Sequence, residues 1–424
     1  MRSRSETKGH QVKPFYNPPY LLLKQAVAIA LYAWLTGWNK RAFLRWATRL
    51  QNLIHAGTGA KQICCFGVNP HVVWEMTSRC NLKCIHCHAF GGEPSLDELS
   101  KEEGIALIDQ IALLDIRTFV FTGGEPLLRE DLFELIAYAK SRGFTLFIAT
   151  NGTLITKGVA KLLRAYNVGV VIGLDGMNPE VHDAIRGVGG AYDAVIAGIE
   201  HCIAENLYVH LNIVASKRNF DEIERIIDYG DAIGVYSYFI YNFVPFGRGE
   251  AIRDDALESD DCKALLDLLV RKQREVSAIL IPVAAPEYWA YALHRRGLQS
   301  RRLIRFLGHF VGGCLADKGM VYIKPNGDVW ACPFLPVQVG NVRKERISVI
   351  WNNLQALRCA CGQNECNGCD YARVCGGCKS RMICGDPSYV CPVNNKRVHG
   401  CSDLSKRTVS LIAEKRKSRD GDVC

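Results

Sequence analysis

Apolar and polar positions follow two periods along the middle of the chain. Short apolar runs at Val72–Met76, Thr118–Thr122, Thr145–Thr150, Val168–Leu174, Tyr208–Val214 and Val235–Asn242 have the length and the β-branched or aromatic content of strands. Between them, Lys101–Leu114, Asp131–Ser141, Lys157–Tyr166, Ala191–Glu205 and Phe220–Ile233 repeat apolar residues at helical spacing. Strands that alternate with helices predict an α/β fold on a parallel sheet, because parallel neighbours need a crossover and a helix supplies it.

The pattern changes towards both ends. From Leu21 to Trp38 the chain is almost wholly apolar, broken only by Lys24, Gln25, Thr36 and Gly37, a length at the lower margin for a bilayer span. Phe43, Trp46, Ala47, Leu50, Leu53 and Ile54 then recur at helical spacing, with Lys40, Arg41, Arg45 and Arg49 on other faces: a basic amphipathic helix of the kind that lies in a membrane interface. Positive charge on both sides of the apolar stretch disfavours a true span. Two expectations follow, a monotopic hairpin resting on a membrane or a pair of helices packed on the fold. Further along, Arg295, Arg296, Arg301, Arg302 and Arg305 run together with Leu303, Phe306, Leu307 and Phe310. A solvated helix face is the default for such a run, and an acidic substrate or a membrane is the alternative. Val321–Trp330 reads as a hairpin turning at Asn326-Gly327.

The 424 residues suffice for a large core with one or two appendages. The expected organisation is a basic N-terminal extension over 1–70, a core over 71–300, a cysteine-rich domain over 301–400 and a tail over 401–424. The net charge of +9 sits unevenly: residues 1–70 carry ten Lys or Arg and one acid, Glu6, and so hold the whole excess. The remainder is balanced, which argues against a general nucleic-acid-binding surface. Nineteen cysteines are the outlying feature. No signal peptide with a cleavage site is visible and several cysteines are spaced CxxC, so metal ligation in a reducing cytoplasm is expected, with peripheral membrane association left open.

Three of those cysteines, Cys80, Cys84 and Cys87, follow the first apolar run. Their spacing brings three thiolates onto one loop, enough for three corners of a cubane iron-sulfur cluster and one short of closing it. A zinc site or three unrelated buried thiols are the plainer alternatives, although structural zinc wants a fourth ligand and none is local. Downstream, Thr122-Gly123-Gly124-Glu125-Pro126 ends a strand in a turn whose glycines let backbone approach a ligand and whose carboxylate can accept from an ammonium.

Together these motifs resemble the radical SAM superfamily, and the resemblance covers roughly residues 71–400. It implies an open (β/α)6 partial TIM-type barrel with ligands at the C-terminal ends of its strands. It also implies a 4Fe-4S cluster on Cys80, Cys84 and Cys87 whose open iron chelates S-adenosylmethionine, with Gly123, Gly124, Glu125 and Pro126 holding the cofactor's amino group. Asn151 and Asp175 fall in further turns around the cofactor, Asp175 either orienting the ribose or supporting the turn. Arg186 stands where relatives place an arginine near the methionyl carboxylate. Asn212 is either a cofactor donor or an exposed strand polar residue, and His86 a packing or supporting residue. Relatives commonly carry serine at the position of Gly173, so one cofactor contact is missing here.

The later cysteines, Cys314, Cys332, Cys366, Cys369, Cys375, Cys378 and Cys391, resemble the SPASM extension with its two auxiliary 4Fe-4S clusters; a double zinc ribbon is the alternative. By that resemblance Cys314, Cys332 and Cys378 serve the first cluster, with Asp317, Cys359, Cys361 or an open iron completing it. Cys366, Cys369, Cys375 and Cys391 serve the second. Two residues, not three, separate Cys375 from Cys378, a departure from the usual pattern. The implied activity is a radical SAM oxidoreductase that draws an electron from a ferredoxin or flavodoxin and removes hydrogen from a peptide or protein side chain. Tetrapyrrole or membrane-lipid modification, and a non-enzymatic electron carrier, are the alternatives.

Overall fold

The computed structural model describes residues 30–44, 71–308, 313–360, 369–383 and 389–393, apart from single positions at 32, 35, 42, 115, 117, 315, 317, 318 and 392 and the side chains of 355–360. Cys366, Asp317, Cys361, most of the amphipathic Phe43–Ile54 stretch and the tail lie outside the described residues, as does the side chain of Cys359.

The strands are β1 (His71–Glu75), β2 (Thr118–Thr122), β3 (Thr145–Thr150), β4 (Gly169–Gly173), β5 (Val209–Ala215), β6 (Ser237–Asn242), β7 (Ile279–Val283), β8 (Met320–Ile323), β9 (Asp328–Cys332) and β10 (Leu335–Asn341). They form one sheet in the order β10-β9-β8-β1-β2-β3-β4-β5-β6-β7. From β8 to β7 every neighbour is parallel, while β8, β9 and β10 pair antiparallel. The helices are α1 (Lys101–Ala112), α2 (Leu132–Ser141), α3 (Lys157–Ala165), α4 (Pro179–Arg186), α5 (Ala191–Ala204), α6 (Ile223–Ile233), α7 (Ser259–Glu275), α8 (Glu287–Arg295), α9 (Arg301–Leu307), α10 (Ile347–Ala360) and α11 (Lys379–Ile383). The architecture is a partial TIM-type barrel, with the sheet continued by the cysteine-bearing hairpin.

Each barrel strand divides its residues by parity. Val72, Trp74, Phe119, Phe121, Ile148, Val170, Ile172, Leu211, Ile213, Tyr238 and Ile240 are buried in the layer between sheet and helices. Their neighbours Val73, Val120, Phe147, Ala149, Val171, Asn212, Val214, Phe239 and Tyr241 line a cavity on the inner face. Local signals set the helix ends: Ser100 and Glu103 form a capping box on α1, and Asn178, Pro179 and the left-handed Gly187 bracket α4.

Two features depart from the sequence reading. A seventh parallel strand, β7, follows the six expected ones. Its Pro282 argues against a central strand, but β7 is the sheet's edge, where a missing N–H costs little. The predicted hairpin forms at Asn326-Gly327, yet β8 also adds in parallel to β1, so barrel and cysteine-rich segment share one sheet. At the N-terminus, Trp38 is 6% exposed and its indole N–H donates to the Val276 carbonyl at 2.8 Å. Around Thr36–Phe43 the chain is therefore packed on the barrel, while residues 21–29 and 45–54 of the two predicted N-terminal helices lie outside the described residues.

Candidate active site

The loop bearing Cys80, Cys84 and Cys87 is held from three sides. On one side the Gly-rich turn is zipped to the segment entering the loop: Gly124 N–H donates to Thr77 O and Glu125 N–H to Arg79 O, both at 2.7 Å. A Cβ at position 124 would lie 2.3 Å from Arg79 O, so only glycine permits this approach. On the second side Lys83 and Ile85 N–H donate to the carbonyls of Arg186 and Ile185 at the end of α4. On the third side is Arg248, which sequence reading did not single out. Its Nε donates to Cys84 O at 3.0 Å, its Nη1 to Gly91 O at 2.8 Å, and its backbone N–H to Cys87 O at 2.9 Å.

Two buried carboxylates organise the turns. Glu125 is fully buried: Thr150 Oγ1 and Leu127 N–H donate to one oxygen at 2.7 and 3.1 Å, and Asn151 N–H to the other at 2.8 Å. Burial pushes its carboxyl up to about 7 against the pull of those donors. With these three donors Glu125 joins the ends of β2 and β3. Asn151 Nδ2 donates to Asn81 Oδ1 at 2.8 Å, which ties that turn to the cysteine loop. Asp175, also fully buried, meets His86 Nε2 at 2.7 Å and Arg186 Nη2 at 2.9 Å, and accepts from Val214 N–H at 2.9 Å. Burial raises its carboxyl, but the Arg186 guanidinium and His86 outweigh that and hold it well below the usual carboxylate range. Asp175 therefore supports the turn and has no surface for a ribose.

Gly173 gains an explanation here. A Cβ at that position would lie 2.5 Å from Arg186 Nη2 and 2.9 Å from Nη1. The guanidinium occupies the space beside Gly173 that the serine of relatives would take, and its charge favours the Cys84 thiolate. Asn212 reaches the cavity with its Oδ1 buried and without a hydrogen-bond partner among the described residues.

The cavity has a volume of about 280 Å³ and a mostly apolar lining that includes Phe147, Phe239, Tyr241, Trp289 and Phe334. Cys314, Cys332 and Cys378 all face it, so the later cysteines close one side of the barrel interior. Cys369 and Cys375 belong to a separate apolar cluster with Tyr371 and Val374, while Cys391 is half-buried. Near Cys87 and Cys332 runs a polar chain unforeseen from sequence. His88 Nε2 lies 3.1 Å from Tyr322 Oη, whose hydroxyl donates to the buried Glu75, which pairs with Lys324 Nζ at 2.7 Å.

The donor set fits iron-sulfur ligation. Cys80, Cys84 and Cys87 are free thiols gathered on an apolar floor of Leu82, Val188 and Ala191. Burial pushes the Cys80 thiol up to about 11 and raises Cys84, so their deprotonation calls for adjacent cationic charge, as bound iron supplies. Among the described residues no three His, Cys, Asp or Glu side chains converge as a ready-made site for one metal ion.

A barrel with a three-cysteine loop after its first strand and a second cysteine group on the wall of its inner cavity defines a class, the cluster-dependent radical enzymes. Residues 74–230 match the model of the radical SAM superfamily, and residues 314–379 match that of an iron-sulfur cluster-binding domain, SPASM. The chain is 31% identical to the AdoMet-dependent heme synthase of Methanosarcina barkeri over 75% of its own length and 93% of that protein's. It is also 31% identical to the mycofactocin maturase MftC of Mycobacterium tuberculosis, covering 72% of this chain and 77% of that one. Among solved structures, Streptococcus suis SuiB bound to S-adenosylmethionine superposes with a TM-score of 0.61 at 18% identity, covering 79% of this chain and 77% of that one. The chain belongs to the radical SAM superfamily, carries a SPASM domain and is an enzyme whose cofactors are S-adenosylmethionine and 4Fe-4S clusters.

Proposed function

We propose that this enzyme removes hydrogen from a side chain of a tetrapyrrole. The observation that carries the reading is the aromatic-lined apolar cavity on the inner face of the sheet, bordered by His88, Thr122 and Asn212 and closed on one side by Cys314, Cys332 and Cys378. A flat, largely apolar ring suits such a lining, and specificity would come from the few polar groups that interrupt it. The similarity to a heme synthase over nearly all of that protein's length supports the same substrate class.

In this reading Cys80, Cys84 and Cys87 hold the catalytic cluster, and residues 71–300 form the radical-generating core. Residues 301–400 hold two auxiliary clusters, Cys314, Cys332 and Cys378 serving the nearer one and Cys366, Cys369, Cys375 and Cys391 the farther. With one electron from a ferredoxin or flavodoxin, S-adenosylmethionine held there would supply the radical chemistry needed for hydrogen abstraction. The chain's own part is placement. The Gly123–Pro126 turn offers backbone to the cofactor's amino group, Asn151 fixes the neighbouring turn, and Arg186 presents its guanidinium beside the cluster loop. Asn212 Oδ1, buried and unpartnered, is positioned to accept a hydrogen bond from the cofactor or substrate. The apolar lining keeps water from the radical, and the auxiliary cysteines stand where an electron left on the substrate would be collected.

A peptide substrate is the second reading, favoured by the likeness to a mycofactocin maturase. The test is anaerobic turnover of the reconstituted enzyme with an iron porphyrin deuterated in its carboxylated side chains, run beside deuterated peptides. Deuterium in 5′-deoxyadenosine from the porphyrin alone supports the proposal, and label from peptide alone overturns it.

A further inference from the structure

We infer that the chain carries a composite face for anionic lipid surfaces, built from α8, α9 and the N-terminal segment docked beside them. The arginine run noted in the sequence is divided between two helices. Arg295 and Arg296 lie at the end of α8, and α9 turns Ile304 and Leu307 inward while exposing Arg301, Arg302, Arg305 and Phe306. Arg302 and Phe306 are four residues apart, so they share one side of the helix. Among the described residues Asp267 lies 3.6 Å from Arg295 and Asp370 2.5 Å from Arg301, two ion pairs within a run of five arginines.

The N-terminal segment extends the same face. Leu31 packs against the cluster that contains Leu293, Ile304 and Leu307. The Arg296 guanidinium lies over the Trp34 ring at 5.7 Å, and Arg274 Nε donates to Thr36 O at 3.2 Å. Trp38, plugged into the barrel and edge-on to Phe43 at 5.5 Å, anchors the segment. Lys40 and Arg41 beyond it are exposed. Trp34, Leu44 and Phe306 are 48%, 54% and 54% exposed, large apolar side chains each set among cations.

This distribution is that of a bilayer interface, where single rings sit at headgroup depth and guanidinium groups meet lipid phosphates. Among the described residues no helix is long and apolar enough to cross a membrane. Trp289 lines the inner cavity, so the helix that carries Arg295 also borders it.

The test is co-sedimentation of the full-length holoenzyme with vesicles of phosphatidylcholine alone or mixed with phosphatidylglycerol, at low and high salt. Binding to the anionic vesicles only, released by salt, is expected. Arg302→Glu with Arg305→Glu should weaken it by about 25-fold or more, from about fivefold per basic residue held at an anionic surface. Phe306→Ser should weaken it while leaving the salt dependence unchanged, and both variants should cleave S-adenosylmethionine in solution as the parent does. Equal binding of the charge-reversed protein, equal binding to neutral vesicles, or tighter binding to a single-stranded oligonucleotide than to anionic vesicles would each overturn the inference.

Discussion

Replacing Arg248 by alanine should disable radical formation without unfolding the barrel. Its guanidinium spans the cysteine loop, donating to Cys84 O at 3.0 Å and Gly91 O at 2.8 Å. Hydrogen bonds from a charged donor contribute about 1.5–3 kcal/mol each, so losing both removes at least about 3 kcal/mol from the ligating arrangement of the loop. Even with part of that recovered by cluster binding, 5′-deoxyadenosine formation should fall about ten- to a hundredfold. Arg248→Lys keeps the charge but not the fork, and should lie between parent and alanine variant. The assay is anaerobic cleavage of S-adenosylmethionine by reconstituted protein, with iron content and thermal unfolding measured alongside. The barrel core does not depend on Arg248, so its melting should shift by only a few degrees. Cleavage within threefold of the parent in Arg248→Ala would refute the reasoning, because the loop would then be set by the cysteines and backbone alone.

Other perturbations probe the remaining supports. Gly173→Ser should drive the Arg186 guanidinium off the strand and break its 2.9 Å pairing with Asp175, costing about 3 kcal/mol or more in denaturant unfolding; unchanged stability would contradict the packing described. Burial pushes the His210 imidazole down to about 3, so the native state leaves it neutral while the unfolded chain protonates near 6.5. Its contribution therefore lowers stability as pH falls below 6.5, by about 2 kcal/mol at pH 5, and urea unfolding of His210→Gln should show a shallower acid slope. Cys369→Ala with Cys375→Ala should suppress substrate turnover more than uncoupled cofactor cleavage, because the radical is made elsewhere; product analysis beside 5′-deoxyadenosine counts decides it.

Much of this site was legible in the chain because its parts are local. The Cys80–Cys87 spacing, the Gly123–Pro126 turn and the Asn326-Gly327 hairpin are short-range signals, and the six central strands announce themselves by apolar runs. What the sequence hid is long-range. Arg248 is separated by 164 residues from Cys84, and no local pattern marks a half-buried arginine as a clamp on a distant loop. The Gly173 and Arg186 exchange is visible only once β4 and α4 are stacked, when a missing hydroxyl becomes room for a guanidinium. Glu125 and Asp175 end buried runs beside glycine, a position that suits a ligand contact and a carboxylate that ties turns together alike, and the turn-tying hydrogen bonds are visible only in the folded chain. β7 was masked by Pro282, whose penalty disappears at an edge. An apolar run ending in Trp38 reads alike whether the ring meets lipid or the Val276 carbonyl.

The most direct measurement of the central claim is made on Cys84→Ala, with iron, sulfide and 5′-deoxyadenosine determined on the same anaerobic sample. One cluster on Cys80, Cys84 and Cys87, with separate clusters on the later cysteines, predicts that 5′-deoxyadenosine formation is abolished while much of the iron remains bound. Retained cleavage, or loss of all the iron, would contradict it.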